Sequence, residues 1–103
     1  PASVIRSKEA NPMTINLLLP TPRSYSSLTL RIGGSPTLIE VQFIPADGSP
    51  AVNFSQVLPV SGDYRDVTFT LEQATLLSEV KISIKNTESG EPDHVHLWEI
   101  TLE

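Results

Sequence analysis

The chain has 103 residues, a net charge of −5, 39% hydrophobic content and no cysteine. That is enough for one domain, 1–103, whose core needs no covalent staples. The missing thiols exclude a cysteine nucleophile and cysteine-bound zinc. Seven Lys and Arg residues against twelve Asp and Glu offer no basic run for nucleic acid or an anionic membrane surface. The longest apolar run, Leu17-Leu18-Leu19, ends at Pro20, so membrane insertion through the ~20-residue span of a helix is not expected.

In chain order, alternation of apolar and polar residues predicts strands, because successive side chains on extended backbone point to opposite faces. Residues 2–6 form a short apolar start, read as an edge strand open to a partner chain. Met13, Ile15, Leu17 and Leu19 share one side of the next run, which Pro20-Thr21-Pro22 is expected to end. Leu28, Leu30 and Ile32 mark a strand over 26–32, and Gly33-Gly34-Ser35-Pro36 a turn. Ile39, Val41 and Phe43 mark 38–44. Asp47-Gly48 lies in the following turn, where positive φ is tolerated. A weaker strand covers 51–58, and 59–65 is a loop. Three alternating runs close the chain at 66–71, 79–85 and 95–102. Helix signals are poor, confined to one turn within 71–79.

Turns every ~10–12 residues suit an all-β sandwich or barrel. Seven or eight strands with one oily face each call for two antiparallel sheets packed face to face. Trp98, in phase with Ile100 and Leu102, is expected in the core, and His96 shares its parity.

Three stretches together resemble the discoidin-like, galactose-binding-like jelly roll of the F5/8 type C domains and family 32 carbohydrate-binding modules. They are Asn11-Pro12-Met13-Thr14-Ile15-Asn16-Leu17-Leu18-Leu19, then Ile39-Glu40-Val41-Gln42 leading into Ala46-Asp47-Gly48-Ser49. The third is Val80-Lys81-Ile82-Ser83-Ile84 followed by Val95-His96-Leu97-Trp98-Glu99-Ile100-Thr101-Leu102. The resemblance implies a two-sheet jelly roll and a sugar site among loops at one end. In many members an upstream loop and a closing-strand glutamate hold calcium. Glu99 matches that glutamate, but its loop partners are missing, and Ca²⁺ wants six to eight oxygens. No metal or other cofactor is therefore expected, and Glu99 is a calcium candidate only.

Catalysis finds little support. There is no Gly-x-Ser-x-Gly elbow, and His94 and His96 lack the i, i+4 spacing of a chelating helix pair. Asp93 beside His94 reads as a hydrated loop before it reads as an acid–base pair. Recognition fits better. Alternating loops bring 7–12, 33–36, 59–65 and 86–94 to one end, collecting Asn11, Tyr64, Arg65, Asn86, Asp93 and His94. An aromatic ring with forked donors and acceptors is what a pyranose requires. The plainer reading of Tyr64 and Arg65 is that they cover the mouth of the sandwich.

The expectation is thus a non-catalytic carbohydrate-binding module. Its few charges and many hydroxyls suggest an extracellular or cell-surface setting beside adjacent domains of a larger chain. The alternative is a structural or protein–protein adhesion domain.

Overall fold

A computed structural model describes the backbone of Ala2–Lys8 and residues 12–87 and 95–103 in full. Six strands form one antiparallel sheet among the described residues: β1 (Ala2–Lys8), β2 (Met13–Gly33), β3 (Thr37–Pro45), β4 (Val52–Leu58), β5 (Tyr64–Asn86) and β6 (Leu97–Leu102). Their order is β1-β6-β2-β5-β3-β4. The all-β, antiparallel expectation is met. The separate sheets and the count of seven or eight strands are not, because two expected breaks do not occur.

The first is Pro20-Thr21-Pro22. The chain stays extended through both prolines, whose fixed φ is compatible with strand backbone. The ladder to β5 lapses between Leu18 and Arg23, so the absent proline N–H groups leave no ladder bond unmade. The second is 72–78, which stays extended as part of β5. Runs 13–19 and 26–32 thereby become β2, and 66–71 and 79–85 become β5.

These two long strands pair with each other along most of their length, yet their halves have different outer neighbours. The second half of β5 carries β3 and then β4. The second half of β2 carries β6, and β6 carries β1. The sheet folds over on itself. Phe54 of β4 lies level with Ile82, since Val41 pairs with both, and thirteen residues of straight strand separate Ile82 from Phe69, roughly 40 Å. The Phe54 and Phe69 rings nevertheless lie 5.9 Å apart, and Phe54 meets Phe43 edge-on at 5.7 Å. One apolar cluster fills the fold, with Leu28, Leu30, Ile39, Phe43, Leu77, Ile84 and Leu97 all but sealed from water.

Alternation changes phase three times. Buried positions fall three apart at Tyr25 and Leu28, at Leu77 and Val80, and at Leu97 and Ile100. Each coincides with a register shift: between Tyr25 and Ser27, opposite Ile44 and Pro45, and opposite Arg31 and Ile32. An extra residue in one strand bends it and re-aims the side chains that follow. The third shift decides what the candidate site is made of.

Candidate functional site at the rim and outer face

The turn after β2, the loop before β5, the end of β5 and the entry to β6 meet at one end of the fold. Backbone hydrogen bonds stitch them together. Ser61 N donates to Gly34 O at 2.7 Å, Thr87 N to Pro36 O at 2.9 Å, and Gly33 N to His96 O at 2.9 Å. The expected gathering of 33–36, 59–65 and residue 86 is present. An open cavity of about 360 Å³ lies among them, with Asp63, Asn86, His96 and Trp98 in its wall.

Tyr64 opens β5 and is 55% exposed. Arg65, the next residue, alternates to the other side and is half-buried. Its guanidinium donates to the Pro59 and Ser35 carbonyls, the latter at 2.6 Å. Ser35 O also accepts from Thr37 Oγ1 at 2.7 Å. Arg65 Nε is buried with no hydrogen-bond partner. The arginine therefore ties the loop before β5 to the turn after β2. Asn86 pairs with Thr37 at the end of β5 and is buried against the cavity. Asn11, Asp93 and His94 lie outside the described residues.

Trp98 departs from its expected place. Arg31 pairs with Glu99 but Ile32 pairs with Leu97, leaving Trp98 as the extra residue of a bulge. Leu97, Ile100 and Leu102 are buried, whereas Trp98 is 39% exposed and His96 is exposed too. Alternation counted back from Leu102 places the indole in the core; the bulge turns it out. The sequence carried a signal. Val95 and Leu97 have one parity, Ile100 and Leu102 the other, and an unbroken strand cannot bury all four.

The exposed indole joins a row of planar groups. His96 stacks on Trp98 at 6.0 Å with 24° between planes, and Trp98 meets Tyr64 at 6.1 Å. Gly33 pairs with Tyr64 beneath them. A Cβ there would stand 3.3 Å from His96 Cβ and 3.8 Å from Trp98 Cζ3, so glycine leaves the rings their room. The Arg31 guanidinium lies 5.2 Å from the Tyr64 ring centroid, within cation–π range. It also grips Asp66 with two of its three nitrogens, Nε to Oδ1 at 2.9 Å and Nη2 to Oδ2 at 3.2 Å. That hydrogen bond holds the Asp66 carboxyl below the usual carboxylate range and raises the Arg31 guanidinium further. A second hollow, about 370 Å³, is walled by Arg31, Tyr64, Trp98 and Glu99. Glu99, named as a calcium candidate, sits in this wall. No group of three or more His, Asp or Glu side chains converges as a metal site among the described residues.

No family model matches the chain, and no curated protein does. A solved structure matches. It is a glycoside hydrolase family 43 arabinoxylan arabinofuranohydrolase from Bacillus subtilis in complex with cellotetraose, with TM-score 0.57 and 17% identity. The likeness covers 89% of this chain and 19% of the enzyme's. At that identity it speaks for the fold: this chain has the architecture of a segment of a carbohydrate-active enzyme, about a fifth of it by length. The narrower resemblance to F5/8 type C domains has no family-model match beside it.

Proposed function

We propose that the chain is a non-catalytic carbohydrate-binding module. In this reading the folded sheet is a two-layered jelly roll of the galactose-binding-like kind, and the rim cavity is the sugar site. One observation carries the proposal: two partly exposed rings, Tyr64 and Trp98, stand 6.1 Å apart beside an open cavity walled by amide, carboxylate and imidazole groups. Sugars are held by an aromatic plane against their C–H face with polar groups on their hydroxyls. The shared fold with a segment of a carbohydrate-active enzyme, solved with cellotetraose, supports the same reading. The module then works outside the cell, attached to neighbouring domains, and brings a glycan to them. Arg65 and Asn86 hold the rim; Tyr64 and Trp98 contact the ligand.

A glycan array followed by calorimetry tests this. Wild-type protein is expected to bind at least one glycan. Tyr64→Ala is expected to abolish the signal while shifting Tm by no more than a few degrees. No binding across a broad array would sink the proposal.

One observation favours the adhesion alternative. Strand β4 is a sheet edge of seven residues with no charge, proline or register shift, and such edges accept strands from partners. A dimer in solution together with a flat array would select it.

A further inference from the structure

We infer that the site continues past the rim onto the outer face of the sheet, and that its ligand is a linear, uncharged oligosaccharide bound along its length. This rests on the carbohydrate-binding reading above and goes further in naming the ligand's shape and charge.

Shape comes from the two hollows. Trp98 is in the wall of both the rim cavity and the hollow over Arg31 and Glu99. One indole is thus the shared divide between two open depressions. A terminal sugar would need only the rim. A chain resting on the Trp98 ring reaches both, with the His96 ring 6.0 Å and the Tyr64 ring 6.1 Å from the indole. Sugar units that each meet a planar group add their contributions, so affinity should grow with chain length.

Charge comes from what faces the ligand. Among the described residues, no lysine or arginine is in the wall of the rim cavity, which instead holds Asp63. Among the described residues, the outer hollow has one cation, Arg31. The Nε–Nη2 edge of its fork is held by Asp66, and Glu99 is its partner across the ladder. Two carboxylates thus oppose one guanidinium in a chain of net charge −5. A uronate or sulfate would meet these carboxylates beside the one described cation, whose Nε–Nη2 edge Asp66 already occupies. Neutral hydroxyls instead find carboxylate acceptors, which form strong hydrogen bonds.

The experiment is calorimetry with neutral β-linked gluco-, xylo- and manno-oligosaccharides from the monosaccharide to the hexasaccharide, and with uronate-bearing chains of matched length. Affinity for one neutral series should rise by at least about tenfold between the monosaccharide and the tetrasaccharide. Glu99→Gln should weaken the longer chains and leave the shortest binder unchanged. The Asp66→Asn, Glu99→Gln double variant should gain binding to the uronate-bearing chain, because it frees Arg31. Circular dichroism would establish that each variant is folded. Equal affinity for short and long chains, or tighter binding of the acidic series by wild type, would overturn the inference while leaving carbohydrate binding intact. Silence from every glycan would remove the underlying reading as well.

Discussion

Gly34 crosses Gly62 so closely that a Cβ on Gly34 would stand 1.9 Å from the Gly62 carbonyl oxygen. The contact is backbone against backbone, so no side chain can swing aside. It sits beside the Ser61 N to Gly34 O hydrogen bond that closes the rim. Gly34→Ala must push the two loops apart, and overpacking of this kind costs about 1–3 kcal/mol. Gly62→Ala is the control, since a Cβ there meets nothing within 4 Å. Urea unfolding should show a lowered midpoint for Gly34→Ala and little change for Gly62→Ala. Ligand binding should weaken only in the former.

Arg65 gives a second separation of roles. Its fork holds the Pro59 and Ser35 carbonyls together, and hydrogen bonds from a charged group contribute about 1.5–3 kcal/mol each at most. Arg65→Ala should lower Tm measurably and reduce binding with it. Arg65→Lys should recover little, because one ammonium lacks the planar fork. Tyr64→Ala, one residue earlier, should reduce binding with a far smaller change in Tm. Thermal melts of the three variants would show whether adjacent residues divide structure from recognition in this way.

The chain has one tryptophan, so its fluorescence reports the β6 bulge directly. An indole 39% exposed should emit to the red of a buried one and be quenched by acrylamide in the native state. Ligand on the Trp98 ring should shift the emission and protect it. A blue, unquenchable spectrum would mean that Trp98 lies inside with Ile100 and Leu102, contrary to the geometry described.

The Arg31–Asp66 pair sets a pH dependence with a definite sign. The Asp66 carboxyl titrates below its usual value when folded, chiefly through its hydrogen bond to Arg31. A group with a depressed native pKa stabilises the fold above its unfolded value, about 3.9. It loses that contribution as pH falls through the native value. Both side chains are substantially exposed, so the effect is small. Wild type should therefore be slightly more stable than Asp66→Asn at neutral pH, with the difference fading as the pH drops below about 4. Carboxyl NMR of Asp66 should give a midpoint under the ordinary value, and an ordinary or raised midpoint would contradict the bidentate contact.

Much of this architecture was legible from side-chain period alone. Alternation in 28–32, 39–43, 67–71 and 80–84 identified inward faces that are buried as expected, because one oily face per strand leaves few ways to fold. The clustering of 33–36, 59–65 and residue 86 was also legible, because each long strand doubles back and so delivers its loops as the two shorter runs read from the sequence would. Tyr64 was visible as the ring at that rim.

Two things were decided only by the packed chain. Whether Pro20 and Pro22 break a strand or sit in a lapse of its ladder depends on what the opposite strand asks of their missing N–H groups, and that partner, β5, is some sixty residues away. Whether Trp98 faces in or out depends on one inserted residue that resets the phase between Leu97 and Ile100. Local pattern determines which residues wish to be buried. Only long-range pairing decides where a ladder slips to satisfy them, and the slip puts the indole beside Tyr64.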